Sequence, residues 1–329
     1  MHLLCLSAFA GALAIASNVT FFGAPRFSLH DTLPNRDSHG NVLIAQDFRN
    51  TVDKPSCGGG SSANARSIAY YQEWNIRTRP CDKVRPSQIK IDGLTQLNLA
   101  FAYIDPKSFQ IRLQNPQDDI VYREFVELKN RGIQVWLGVG GWEFSDEGPT
   151  RTTWSDLASS PANRKTFITS TLRFLKEYGF QGLDVDWEWP ASSSRGGYPE
   201  DTQNQVNLMK ELRDALGKDY GLTCVLPHDN TFLQGIDVKG LSQHVDWFNI
   251  LTYDLHGSWD ENNPAIGARI RPHTDLKEID THLEAMWATG VHPSKFTLGL
   301  AYYGPYYQGS EPDSELYRRR YQCNAIVLG

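Results

Sequence analysis

The sequence has little cysteine, no excess of positive charge and no long hydrophobic run, and each shortage excludes a class of protein. Its five cysteines show no spacing typical of a metal site, so we expect no metal and no cofactor. The net charge of −6 gives no electrostatic reason for a nucleic-acid partner, and no basic run indicates a membrane-surface helix. The apolar run at residues 1–17 falls short of the about 20 residues that span a bilayer.

The amino terminus has the pattern of a leader. Residues 1–17 are uncharged and apolar, with small residues at Ala12, Ala14 and Ala16, which predicts a signal peptide and secretion. A membrane anchor is the alternative interpretation. Residues 18–66 show no period and end in a glycine- and serine-rich stretch, which indicates a flexible leader or linker.

Secretion would permit disulfides among the four cysteines that remain after the leader is removed. These are Cys57, Cys81, Cys224 and Cys323, and Cys57 with Cys81 is the pair closest in sequence. Cys224 lies in an apolar strand-like run, where a buried free thiol is the commoner outcome. Three full pairings are possible, and the sequence leaves the choice open.

Seven apolar, strand-like runs alternate with amphipathic segments in the central part of the chain. The runs are Ile68 to Tyr71, Gln96 to Ala102, Gln134 to Val139, Leu183 to Trp187, Leu222 to Leu226, Trp247 to Leu251 and Phe296 to Ala301. Helical periodicity occupies residues 163–178 and 202–216. The alternation predicts an α/β fold, a parallel barrel with outer helices, and a doubly wound open sheet is the alternative.

Three carboxylates stand at two-residue spacing within the fourth of these runs and just beyond it. If the run is a strand, Asp184, Asp186 and Glu188 all face the same side. Burial of three carboxylates without partners is costly, which favours a functional origin over a solvated edge strand. The apolar neighbours Leu183 and Val185 suit a strand whose other face is covered by helices.

With its neighbours, this segment resembles the signature of the family-18 glycoside hydrolases, Asp-Gly-x-Asp-x-Asp-x-Glu. Here the signature runs from Gln181 to Glu188, so glutamine replaces the first aspartate and one charge is lost. Residues 137–142 and 251–259 are also similar to stretches of the secreted fungal chitinases of that family. These motifs run through most of residues 67–307.

The resemblance implies a (β/α)8 TIM-type barrel over residues 67–307, in which the eighth strand is missing. Residues 308–329 do not resemble the family, and we interpret them as a divergent tail. A fragment or a mispredicted reading frame would account for this end of the sequence. A complete chain would leave a strand edge unpaired, which would put activity in doubt.

The resemblance also implies a mechanism. Glu188 would be the acid, and the substrate's own 2-acetamido oxygen would attack the anomeric carbon, the route by which this family departs from other retaining enzymes. Asp186 would orient the acetamide, and Asp184 would share a proton with Asp186. Tyr253 would donate to the acetamide carbonyl. Gln181 would weaken the coupling within the carboxylate row.

Other residues are candidates for sugar contacts, since aromatic side chains offer flat faces on which sugar rings stack. By resemblance the substrate-binding residues are Tyr70, Trp74, Phe101, Gly141, Trp142, Asp254 and Tyr303. Glycine at 140 and 141 would let the backbone approach a ligand. Pro305 stands where the family has an arginine, so one polar contact is missing.

The leading hypothesis is a secreted, monomeric enzyme that hydrolyses β-1,4 bonds in chitin or chitooligosaccharides, by endo or exo action. A chitin-binding lectin on the same fold is the main alternative. A killer-toxin-type subunit that docks on chitin is another. Cleavage within the diacetylchitobiose core of N-glycans is a further possibility.

Overall fold

A curled parallel sheet forms the centre of the molecule, as the alternation of strand and helix patterns predicts. A computed structural model describes residues 66–304, except residues 265 and 268. All seven predicted strands are present, and a short additional strand, β3, forms a hairpin with β2. The strands are β1 Ile68–Gln72, β2 Gln96–Ile104, β3 Ile111–Arg112, β4 Gln134–Gly140, β5 Gly182–Asp186, β6 Gly221–Pro227, β7 Trp247–Leu251 and β8 Phe296–Leu298.

Helices connect these strands, and both predicted helices are confirmed. The α-helices are α1 Asn75–Thr78, α2 Asp119–Val126, α3 Thr153–Ser159, α4 Pro161–Tyr178, α5 Asp201–Leu216, α6 Asn230–Leu233, α7 Val238–Leu241 and α8 Leu276–Ala288. Short 3-10 segments lie at Pro86–Gln88, Pro116–Asp118, Glu127–Arg131, Trp142–Ser145, Ser193–Arg195, Ser258–Asn262 and Pro293–Lys295. The Ser160 hydroxyl caps α4 by accepting from the Asn163 amide, and Gly179 ends that helix at a φ of +89°.

The strand order decides between the two predicted architectures. The order is β1-β2-β4-β5-β6-β7-β8, and every neighbouring pair in it is parallel. A doubly wound sheet would reverse its order at a switch point, and this sheet does not. The barrel prediction is therefore confirmed, with seven parallel strands among the described residues.

The two edge strands of this sheet approach each other at their amino-terminal ends. The Arg66 guanidinium, just before β1, donates to the carbonyl of Ser294, which precedes β8. The same guanidinium lies 4.7 Å from the centroid of the Trp247 ring. Within residues 66–304, apart from the two omitted positions, no strand pairs with both β1 and β8.

Two tryptophans fill the amino-terminal end of the barrel. The rings of Trp136 and Trp247 lie 5.0 Å apart between centroids. A Cβ at Gly182 or Gly221 would lie 2.3 Å or 1.9 Å from the Trp136 ring, so both positions must lack a side chain. The glycine of the Gln181–Glu188 signature thus makes room for the floor of the barrel.

The cysteine predictions are tested only in part. Cys224 is free and buried, as predicted. Cys81 forms a disulfide. Cys57 and Cys323 lie outside the described residues, as do the predicted signal peptide at 1–17, nearly all of the leader at 18–66 and the tail at 308–329. Among the described helices, none is long and apolar enough to cross a bilayer.

Candidate active site

The carboxylate row lies at the carboxyl-terminal end of β5, and all three side chains are buried. Asp184 is 0% exposed, Asp186 4% and Glu188 6%. Asp184 and Asp186 belong to β5, and Glu188 follows two residues after its end. The apolar residues between them, including Leu183 and Val185, are buried too. Residues on both faces of β5 are therefore buried, as expected of a strand that is covered on both sides.

Asp184 is held by four side-chain donors from four other strands. The hydroxyls of Tyr70 and Thr223 each donate to it at 2.6 Å, and the amides of Asn249 and Asn98 donate at 3.0 Å and 3.4 Å. Burial raises the pKa of Asp184, and these hydrogen bonds oppose the rise by stabilising the charged form. Asp184 is thus a fixed anchor inside the sheet.

Asp186 and Glu188 form a hydrogen-bonded carboxyl pair beyond Asp184. Burial, the negative charge of Glu188 and that of Asp184 together raise the pKa of Asp186 well above its usual range. Burial raises the pKa of Glu188 to about 7, against the opposing effects of the Asp186 hydrogen bond and the Arg195 charge. Such a pair holds a proton at neutral pH, so it contains a carboxylic acid able to donate.

This arrangement differs from the expectation that Asp184 shares a proton with Asp186. Both oxygens of Asp184 already accept from neutral donors of the surrounding strands. The hydrogen-bonded carboxyl partner of Asp186 is Glu188. Asp184 acts on Asp186 through its charge, which raises the Asp186 pKa.

Two glycines at the end of β4 allow close packing against the carboxylate strand. A Cβ on Gly140 would lie 2.1 Å from the Asp186 carbonyl oxygen, and the φ of Gly140 is +108°. The Gly141 amide donates to that same oxygen at 2.9 Å. A Cβ on Gly141 would meet the Phe101 ring at 2.7 Å. The glycines are explained by contacts within the protein, and the predicted ligand contact of Gly141 stays a prediction.

A cleft of about 1300 Å³ opens over the carboxyl pair. Its lining includes most of the site residues predicted from the sequence: Tyr70, Trp74, Phe101, Trp142, Asp186, Glu188, Tyr253, Asp254 and Tyr303. Asp184 and Gly141 are not part of the lining. The Trp74 and Phe101 rings stack on each other 6.4 Å apart, and Trp142 is 49% exposed. The cleft thus contains both an acid, Glu188, and aromatic ring faces.

Asp254, at the mouth of the cleft, is held by residues from two later segments. It adopts a φ of +56°, which is unusual for a residue other than glycine. The Tyr303 hydroxyl donates to its carboxylate at 2.5 Å, and the Asp254 amide donates to Nδ1 of His273 at 3.3 Å. The His273 Nε2 lies 2.9 Å from the Tyr303 carbonyl oxygen. Because that oxygen can only accept, Nε2 carries the proton.

Tyr253 lies between this mouth and the carboxyl pair. Burial and the negative charges of Asp186 and Glu188 raise the pKa of its hydroxyl well above the usual range. The hydroxyl therefore keeps its proton at neutral pH and stays a hydrogen-bond donor. Its ring meets that of Tyr303 edge-on, with centroids 6.1 Å apart.

Comparison with known proteins identifies the family. The family model described as glycosyl hydrolases family 18 matches residues 66–325. The chain belongs to glycosyl hydrolase family 18. Within the described residues, this family 18 chain has no group of three or more His, Cys, Asp or Glu side chains that could hold a metal ion.

Individual relatives are named as chitinases. The chain is 26% identical over 268 residues to a secreted chitinase, LysM12, of Penicillium expansum, covering 78% of this chain and 17% of that protein. It is 28% identical over 261 residues to an endochitinase of Manduca sexta, covering 74% and 46%. The chain therefore spans less than half the length of these curated relatives.

A solved structure shows the same fold. Catalytic domain 2 of the group II chitinase of Ostrinia furnacalis superposes with a TM-score of 0.64 at 27% identity, covering 72% of this chain and 64% of that one. A mutant of that domain has been solved in complex with a (NAG)5 chito-oligosaccharide.

Gln181 is where this chain departs from the family 18 signature. Its side-chain oxygen accepts from the Val135 amide at 3.1 Å, which ties the start of β5 to β4. Gln181 stands three residues before Asp184, about 10 Å along the strand. The glutamine is thus engaged in strand pairing at the opposite end of β5 from the carboxyl pair.

Several residues of this family 18 site were not found from the sequence. Asn98 and Asn249 each interrupt an apolar strand run, and a polar residue between apolar neighbours could have indicated an inward-facing group. His273 and Arg195 carried no comparable signal, because they lie in connecting segments. Their proximity to Asp254 and Glu188 is a product of the fold.

Proposed function

We propose that this chain hydrolyses β-1,4 bonds of chitin or chitooligosaccharides with retention of configuration, assisted by the substrate's acetamide group. The Asp186–Glu188 pair carries the proposal. Most retaining glycosidases place a second carboxylate about 5 Å away, across the scissile bond, as nucleophile. Here Asp186 is hydrogen-bonded to Glu188, and a group so placed cannot attack from the opposite face of the sugar.

In the proposed first step, protonated Glu188 donates its proton to the glycosidic oxygen, and the bond to the anomeric carbon breaks. The carbonyl oxygen of the substrate's 2-acetamido group forms a bond to that carbon and gives an oxazolinium ion. Water then attacks the anomeric carbon, Glu188 takes the proton of that water, and the acetamide is restored. The pKa of Glu188 near 7 suits both roles.

Asp186 is suited to orient the acetamide. Its Oδ1 is buried and has no hydrogen-bond partner among the described residues. An acetamide N–H could donate to this oxygen, which would satisfy a polar atom that is otherwise costly to bury. In the form of the pair in which Glu188 carries the proton, the negative charge on Asp186 would also stabilise the positive charge that develops on the oxazolinium ion. Tyr253, whose hydroxyl stays protonated, would donate to the acetamide carbonyl.

The walls of the cleft would bind the sugar chain. Trp142, Trp74 and Tyr303 offer ring faces for stacking, and Asp254 offers a polar contact at the mouth. The names of the relatives, which are chitinases, support chitin as the substrate class. The predicted signal peptide and the name of the Penicillium relative support secretion into the extracellular space. We further propose that the chain acts as a monomer without a cofactor.

The test is hydrolysis of chitin and of a fluorogenic chitobioside by the wild type and by Glu188→Gln. The variant keeps the shape of the side chain but cannot donate a proton, so we expect turnover to fall by about 10²- to 10⁴-fold with oligosaccharide binding retained. Glu177→Gln, an exposed change on α4, is the matched control and should keep full turnover. A wild type that binds chitin without releasing sugars would instead support the lectin alternative.

A further inference from the structure

Arg195 is a buried cation at the edge of the cleft. It lies in the 3-10 segment between β5 and α5 and is 7% exposed. A buried guanidinium is costly unless its donors are satisfied. Its acceptors lie in the segment that follows β4 and in the earlier part of its own segment, just after β5.

The first of these contacts is with Trp142, which follows β4. The guanidinium carbon lies 3.6 Å from the centroid of the Trp142 ring, a cation–π distance. Nη2 also donates to the Trp142 backbone carbonyl. Arg195 therefore covers one face of the Trp142 ring, while Trp142 as a whole is still 49% exposed. The contacts fix Trp142 through both its ring and its backbone.

The remaining contacts are with the backbone of Glu188 and with Asp146. Nε donates to the Glu188 carbonyl oxygen at 3.1 Å. Nη1 forms an ion pair with Asp146 at 2.6 Å. One planar guanidinium thus joins Glu188 to two residues of the segment that follows β4, a geometry that the single ammonium of lysine cannot reproduce.

The segment that carries Arg195 is itself held firmly. Asp201 accepts from the amides of Ala191 and Tyr198 at 3.3 Å and 2.8 Å, and from the Ser155 hydroxyl at 2.7 Å. Arg151 donates to the Ser194 carbonyl at 2.9 Å. These contacts make Arg195 a rigid support for the residues that it touches.

We propose that Arg195 is a positioning residue that holds the Trp142 ring and Glu188 in fixed relation, and that Arg195 and its ion-pair partner Asp146 act on the Glu188 side chain with opposite charges. This inference rests on the proposed function, in which Glu188 is the acid and Trp142 a sugar platform. The charge of Arg195 lowers the pKa of Glu188 and that of Asp146 raises it. The two members of the ion pair therefore have opposite effects on the pKa of Glu188.

This opposition gives a test that a merely structural ion pair would not pass. Arg195→Gln and Asp146→Asn both break the same salt bridge. The Glu188 titration, followed by carbon NMR of the labelled carboxyl group, should move to higher pH in Arg195→Gln and to lower pH in Asp146→Asn. The alkaline limb of the pH–rate profile should move in the same two directions. If the Glu188 titration moved in the same direction in both variants, or did not move, the charge role of Arg195 would be overturned.

Arg195→Lys separates positioning from charge. The lysine keeps the positive charge, so the Glu188 titration should stay close to that of the wild type. Because lysine loses the fork over Trp142, we expect the Kd for a chito-oligosaccharide to rise about threefold or more. In a Trp142→Ala background the same lysine change should have little further effect, since the two residues act through one contact. An undiminished effect in that background would overturn the platform role.

Arg151→Gln is the matched control. It removes a guanidinium that supports the same segment through the Ser194 carbonyl, and the described residues show no contact from it to Trp142 or Glu188. It should change neither the Glu188 titration nor the binding of oligosaccharide beyond its effect on stability. Failure of the proposed function would appear separately, as a folded wild type without hydrolysis, while the NMR titration would still decide whether Arg195 acts on Glu188.

Discussion

Asp184 and Asp254 are both carboxylates at the carboxyl-terminal side of the barrel, yet different parts of the chain hold them. Asp184 is fully buried and accepts from side chains of β1, β2, β6 and β7. Asp254 is 46% exposed and depends on Tyr303 and His273. The interior of the barrel is organised by the sheet as a whole, and the mouth is organised by a few residues of the later loops.

Asp184→Ala tests the hydrogen-bond network in the interior of the barrel. The change leaves buried donors on four strands without an acceptor, so we expect the free energy of unfolding to fall by about 3 kcal/mol. Urea unfolding followed by circular dichroism measures it. If Asp184→Ala were as stable as the wild type, the interior network would not be holding the sheet together.

Asp254→Ala should reduce catalysis more than it reduces stability. We expect a stability loss below about 1 kcal/mol, since the carboxylate is half exposed, and a loss of kcat/KM of about tenfold from the missing polar contact. Asp254→Asn is the matched control, because asparagine tolerates a positive φ. A stability loss equal to that of Asp184→Ala would remove the distinction between interior and mouth.

A smaller effect concerns a second buried glutamate, Glu73, at the end of β1. Burial, followed by a hydrogen bond with Asp118 and the Asp118 charge, raises the pKa of Glu73 to about 8, against the opposing charge of Arg77. In the folded state Glu73 therefore keeps its proton at a pH at which the unfolded chain has lost it. The contribution to stability is present below the ordinary glutamate pKa of about 4.5 and is lost as pH rises through about 8.

The measurement is the midpoint of urea unfolding from pH 4.5 to 8.5 for the wild type and Glu73→Gln. The variant should show a shallower decline over this range, because glutamine does not titrate. Glu188→Gln should flatten the part of the decline that ends near pH 7. An unchanged slope in Glu73→Gln would show that this group titrates normally in the fold.

Much of the fold and part of the site follow from local patterns. Strand runs and helical periods are properties of short segments, so all seven strands and both named helices could be predicted. The two-residue spacing of Asp184, Asp186 and Glu188 placed the row on one side of β5 for the same reason. The motif around Tyr253 and Asp254 likewise led to residues that line the cleft.

The residues that support this row could not be predicted in the same way. His273 reaches Asp254 across 19 positions of sequence, and Arg195 reaches Trp142 across 53. The distances between such pairs depend on how loops fold over the sheet. No period or local spacing encodes that geometry.

The strands, the helices and the line of carboxylates follow from the sequence alone, because each depends on the alternation of apolar and polar residues within one segment. Which carboxyl groups share a hydrogen bond, which are stabilised in their charged form by surrounding donors and how acidic each one is follow only from the folded arrangement. Those properties depend on burial and on charges brought together from distant parts of the chain, since the pKa of a group reflects its whole surroundings.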